Sequence, residues 1–107
     1  MHSADRDGGT FLSQYIDMFL QDTAERLDTL SRALESGDRN TLAREAHAIK
    51  GACLELGIMQ LGKYCDELRD AAKDSRLKQS AKSLQRLREE FDRLRPLLQA
   101  EKVADSA

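Results

Sequence analysis

Residues that favour sheet are scarce in this sequence. Aromatics make up 5% of its 107 residues, and the β-branched side chains come down to Ile16, Ile49, Ile58, Val103 and four threonines. That composition argues against a β fold. Proline occurs once, so little interrupts helix. No apolar run approaches the roughly 20 residues of a membrane span. The N-terminal MHSADRDGG lacks the apolar stretch of a signal peptide, so the expected location is cytoplasmic, without direct membrane contact. Two cysteines, Cys53 and Cys65, show no CxxC or HxxxH spacing, and no bound metal is expected. Both fall on apolar helical faces and read as buried, reduced thiols. The net charge of −2 gives no basic field for nucleic acid. Residues 1–36 carry seven acids and three bases, and residues 74–107 six acids and eight bases. That small C-terminal basic excess is mixed with acids, as on a solvated helix surface.

What is present is helix. The chain is 40% apolar and 34% charged, long enough for one core and too short for two. Residues 1–9 are polar, contain Gly8-Gly9 and read as a disordered tail, with Thr10 as the N-cap of a first long helix. Leu12, Ile16, Phe19, Leu20, Thr23, Leu27, Leu30 and Leu34 recur at steps of three and four, one buried face. Phe11 and Tyr15, like Phe19, sit at core spacing. Ser36-Gly37 ends this helix, and Asp38 caps the next after a very short turn.

A second helix over 39–56 carries Leu42, Ala46, Ile49, Cys53 and Leu56 inward, and Gly57 ends it. A third turns Leu61, Tyr64, Cys65, Leu68 and Ala72 inward as far as the connection Lys73-Asp74-Ser75. A fourth starts near Leu77 or Lys78 and repeats Ala81, Leu84, Leu87, Phe91, Leu94 and Leu98, with Pro96 expected to kink or stop it near Arg95. Residues 101–107 read as a flexible tail. Four amphipathic helices with short turns pack most simply as an all-α, up-down-up-down antiparallel four-helix bundle over residues 10–100. Each helix has one apolar stripe and little left over, so a monomer is expected.

The stretch AREAHAIKGACLELG, residues 43–57, sets one histidine against this pattern. At about 100° per residue the inner stripe spans about 40°, and His47 lies about 140° from its centre. It faces solvent or the rim of the bundle, which removes the usual account of a lone histidine as a core residue. Lys50 is one turn further on the adjoining side. Gly51, at i+4, leaves a bare patch beside the imidazole although glycine inside a helix costs about 1 kcal/mol relative to alanine. Ala43 and Ala48 keep the surroundings low. An exposed imidazole, a nearby cation and a cleared approach suit transfer of an anionic group, phosphoryl above all.

These residues carry a resemblance. Ala46-His47-x-Ile49-Lys50-Gly51, then Leu56-Gly57, Leu61 and Cys65-x-x-Leu68, resemble the histidine-containing phosphotransfer (HPt) domain. Upstream, FLSQYIDMFLQDTAERLDTLSRALESGD is similar to that family's long preceding helix and its Gly-Asp turn. The resemblance covers roughly residues 10–100 and implies a phosphocarrier in two-component signalling, not a turnover enzyme. It needs no cofactor of its own, because Mg²⁺ is expected on the partner. The partners it implies are receiver domains of response regulators, that of a hybrid sensor histidine kinase among them.

Carried over, His47 is the phosphoacceptor and Lys50 stabilises the phosphate. Gly51, with Ala43, Arg44 and Leu54, forms the surface of partner approach. Many members place a glutamine near the imidazole from the next helix. Arg69 stands there in this chain, and Arg69 and Lys73 read either as plain solvated charges or as secondary contacts for the phosphoryl group or an acidic receiver. The short extra helix usual ahead of the first long one is expected to be missing, truncated or irregular, which also fits a piece of a larger hybrid kinase. Two other readings compete. A histidine-kinase dimerisation and phosphoacceptor region normally follows its histidine with an acidic residue, where this chain has Ala48, and no Gly-rich ATP-binding segment is found. A non-catalytic helical adaptor would bind signalling proteins through first-helix aromatics.

Overall fold

The computed structural model describes the backbone of residues 3–106 and the side chains of residues 11–102. The chain forms four helices, α1 (Ser3–Ser36), α2 (Arg39–Leu56), α3 (Met59–Lys73) and α4 (Leu77–Ser106), and no strand among the described residues. Each packs against its neighbours in the chain, and α1 closes on α4 while the diagonal pairs stay apart. The result is an up-down-up-down bundle of 55 × 20 × 20 Å.

The turns are short because the helix ends close on themselves. At Gly37 (φ 70°) and Gly57 (φ 72°) the chain enters the left-handed region that glycine tolerates. Asp38 N donates to the Ala33 carbonyl and Gly37 N to Leu34, and Ile58 N and Gly57 N donate likewise to Cys53 and Leu54. The α3–α4 turn repeats the pattern with Ser75 (φ 61°), whose Oγ accepts from Arg39. Asp38 caps α2, accepting from Thr41 N at 3.1 Å and Thr41 Oγ1 at 2.6 Å. Those two bonds hold its carboxyl below the usual carboxylate range.

The core contains Phe19, Leu27, Leu30, Leu42, Ala46, Ile49, Cys53, Leu61, Cys65, Leu68, Leu87 and Phe91. Phe19 and Phe91 meet at a tilt of 56° across the α1–α4 seam, centroids 6.5 Å apart. Cys53 and Cys65 are unbridged thiols, both buried. The hydrogen bond Cys65 shares with Cys53, together with burial, pushes its thiol well above the ordinary range.

Several positions differ from the sequence reading. The expected tail and Thr10 cap give way to helix from Ser3 onward, continuous with α1, so no separate leading helix exists over 3–9; residues 1 and 2 lie outside the described residues. Gly8 and Gly9 weaken a helix without forbidding it. The C-terminal segment expected as a tail is likewise helical as far as Ser106. Leu12, Phe11 and Tyr15 are exposed rather than core.

In α4 the inward residues are Ser80 and Ser83, with Ala81 facing solvent. Ser80 lies on the stripe that Leu84, Leu87 and Phe91 define, and its hydroxyl donates to the Arg76 carbonyl at 2.9 Å, which makes its burial tolerable. α4 also runs through Pro96 instead of stopping at Arg95. Pro96 is exposed, so the Asp92 carbonyl it leaves unpaired can meet water. Beyond it, Leu98 packs on the core and Lys102 pairs with Asp17 of α1, which hold the last turns in place.

Candidate functional site

The site is built on the outer face of α2. Leu42, Ala46, Ile49 and Cys53 are each 0–1% exposed and lock one side of the helix to the core. The opposite side presents His47, Gly51 and Leu54 to solvent at steps of three and four. His47 joins none of the hydrogen bonds or ion pairs found among the described residues. A Cβ added at Gly51 would meet nothing within 4 Å, so its hydrogen answers no packing need inside the chain. Ala43 and Ala48 flank the histidine, half-buried, and Arg44 is exposed and donates to Thr41 Oγ1 at 3.3 Å.

Lys50 is not free. Its Nζ lies 2.8 Å from Asp66 Oδ1 on α3, and both side chains are partly exposed. The two helices come close here because Gly62 is buried against Cys53 and the Lys50 stem, its built Cβ lying 3.7 Å and 4.0 Å from them. The Lys50–Asp66 and Cys53–Cys65 pairs fix an antiparallel register. One turn back on α2 and one turn on along α3, that register sets Arg69 level with His47. Arg69 is half-buried and takes no part in the ion pairs of the described residues. Lys73 lies elsewhere: its carbonyl accepts from Arg39 at 3.5 Å, which places it at the start of α2 rather than beside His47.

Two apolar grooves flank the histidine ridge. On the α3 side a depression of about 280 Å³ is walled by Leu54, Ile58, Met59 and Gly62, with Lys50, Lys63 and Asp66 on its rim. On the α1 side a larger groove of about 500 Å³ runs between Phe11, Tyr15, Met18, Ala52 and Glu55. The Tyr15 hydroxyl donates to the Glu55 carboxylate, and this bond raises the phenol above its ordinary pKa. Phe11, Met18, Leu54 and Met59 are 57–71% exposed, a density of large apolar side chains that signals docking by another protein.

The sequence reading missed Met18, Met59 and Asp66, and placed Phe11 and Tyr15 with the core. A signal for the α1-side groove was present: Phe11, Tyr15 and Met18 form a second stripe at i, i+4 and i+7, beside that of Ile16, Phe19 and Thr23. One helix of a four-helix bundle needs only one such stripe. Among the described residues no group of three His, Cys, Asp or Glu side chains is placed to hold a metal, and no helix is long and apolar enough to cross a membrane.

Comparison with known proteins gives this geometry a family. The sequence profile of the Hpt domain matches residues 14–96. No curated protein sequence matches the chain significantly. Among solved structures, the chain is similar to the crystal structure of histidine-containing phosphotransfer protein B (HptB) from Pseudomonas aeruginosa PAO1. The TM-score is 0.83 at 32% identity, over 86% of this chain and 80% of that one. The exposed histidine at mid-helix, the bundle that carries it and both comparisons agree, and the chain belongs to the histidine-containing phosphotransfer (HPt) domain family, the histidine phosphocarriers of phosphorelays.

Proposed function

We propose that His47 is the residue that carries the phosphoryl group, taking it from the aspartyl phosphate of one receiver domain and giving it to the aspartate of another. The observation that carries this reading is the combination on one surface of α2: an exposed imidazole without a partner among the described residues, a lysine one turn away and a glycine whose missing side chain clears the approach. The Nε2 lone pair of the neutral imidazole attacks phosphorus. The Nε2–P bond forms as the acyl O–P bond breaks, the carboxylate leaves on the receiver, and the ring proton stays on Nδ1 until water removes it. Lys50 neutralises phosphate charge, with Arg69 as a second cation at the same level, and Mg²⁺ belongs to the receiver. Positioning and charge neutralisation are what such a transfer requires.

The chain then acts as a carrier, consumed and regenerated, without nucleotide chemistry of its own. Gly51, Ala43, Arg44 and Leu54 lie under the incoming receiver, and the grooves at Tyr15–Met18 and Leu54–Met59 give its apolar surface a seat. A protein partner suits them better than a small molecule, because both are open and shallow. Lys73, one turn beyond Arg69 on α3 and with its carbonyl at the start of α2, is the more distant of the two secondary cations. The surroundings expected for such a relay, cytoplasmic and reducing, also suit two unbridged thiols.

The test is direct. Incubation with a phosphorylated receiver domain and Mg²⁺ is expected to place acid-labile, base-stable phosphate on this chain, and His47→Gln to abolish it with the helical signal unchanged. Persistent labelling of the His47→Gln protein would falsify the assignment.

A further inference from the structure

Lys50 stands one turn beyond His47 on α2, yet in the unphosphorylated protein it is held by a carboxylate. We propose that Asp66 is a positioning residue of the transfer: it holds the Lys50 ammonium on α3 when His47 is empty and competes with the phosphoryl group for it when His47 is loaded. This rests on His47 being the phosphoacceptor. Three observations carry it.

The first is the contact itself, Lys50 Nζ to Asp66 Oδ1 at 2.8 Å, between side chains 30% and 44% exposed. A pair so open to water is weak, so the ammonium can be exchanged at little cost. The second is the path of the lysine stem. It lies across buried Gly62, whose built Cβ would come within 4.0 Å of Lys50 Cγ. The small residue lets the two helices close up, and the stem is thereby directed over α3. The third is spacing. Residues 47 and 50 are neighbours on one helix surface, with Cβ atoms about 5–6 Å apart, so a phosphoryl group on the imidazole brings about two negative charges within the same ammonium's reach.

The ammonium thus has two anions to choose between, and its hold on Asp66 favours the empty form. Asp66 therefore keeps phosphohistidine easy to discharge, as a carrier that must pass its group onward requires. When Lys50 turns to the phosphate, Lys63, one turn from Asp66 on α3, is placed to take up its charge.

The test uses phosphoramidate, a small phosphoryl donor that needs no partner protein. Its P–N bond breaks as the Nε2–P bond forms, and ammonia leaves. The rate at which the phosphohistidine ³¹P resonance grows is compared for the wild type, Asp66→Asn, Asp66→Glu, Lys50→Gln and the Lys50→Gln/Asp66→Asn double variant, with circular dichroism confirming that each is folded. Asp66→Asn is expected to label about two- to five-fold faster, the range set by an exposed ion pair. Asp66→Glu, which keeps the charge, brings the rate back toward the wild type. In the Lys50→Gln background the Asp66→Asn acceleration falls below about 1.5-fold, because the group Asp66 acts through is gone. An Asp66→Asn rate equal to the wild type, or the same acceleration in both backgrounds, overturns the role of Asp66 while leaving the phosphocarrier intact. A wild type that takes no phosphate on His47 overturns both.

Discussion

The two long faces of the bundle treat their cations in opposite ways. Where α1 meets α4, the arginines are committed. Arg88 donates to the Leu27 carbonyl at 3.1 Å and Ser31 Oγ at 2.6 Å. Arg95 sits 4.9 Å over the Phe91 ring, beside Ala24 and Asp28 of α1. On the outer face of α2, among the described residues, His47 has no partner, Arg69 enters no ion pair, and Lys50 is held by one partly exposed carboxylate. Charges tied to backbone carbonyls and rings hold helices together. Charges left loose at one level of a rigid helix are available for an incoming anion. Under the proposed function, one chain uses the same chemistry for structure on one side and for transfer on the other.

Substitutions on the two faces should separate those roles. The largest effect expected on the structural side is Phe91→Ala, which removes a ring that is 1% exposed and packed against Phe19. It should cost about 3–5 kcal/mol in urea unfolding, while labelling per folded molecule stays near wild type. Arg88→Met should cost about 1–2 kcal/mol, because the Leu27 carbonyl and Ser31 lose a charged donor. Arg69→Met should cost less than about 0.5 kcal/mol and instead slow transfer from a phosphorylated receiver. If Arg69→Met destabilises as much as Arg88→Met and transfers normally, the contrast between the faces is broken.

Gly51→Gln sharpens the comparison from the other direction. Replacing a mid-helix glycine whose Cβ has open space should stabilise the bundle by up to about 1 kcal/mol. It should also slow receiver-dependent transfer by tenfold or more and leave labelling by phosphoramidate nearly unchanged, since only a protein partner needs the clearance. Unchanged receiver transfer would make the bare patch incidental.

Much of this was legible in the chain before any coordinates. The stripes of α2 and α3 follow from spacing alone because every position in them is apolar or small, and the Gly37 and Gly57 turns follow from residues that accept a positive φ. His47 was legible for the same reason, since a period of 3.6 turns it away from Ile49 and Cys53 whatever the neighbours do. Three things were hidden. Ser80 and Ser83 are buried because the stripe passes through them, although counting apolar residues favoured Ala81. α4 passes Pro96 because contacts made by Leu98 and Lys102 offset one lost backbone bond. The Lys50–Asp66 pair depends on the register between α2 and α3, which periodicity within one helix does not contain.

The central claim is that one imidazole carries the phosphate, and the chain allows a direct test because it has only two histidines, His2 and His47. Wild-type protein phosphorylated by a receiver domain and digested with trypsin at alkaline pH separates them, His2 on residues 1–6 and His47 on residues 45–50. Mass spectrometry is expected to find the added phosphoryl mass on residues 45–50 alone. Phosphate on residues 1–6, or on any peptide without His47, would contradict the account.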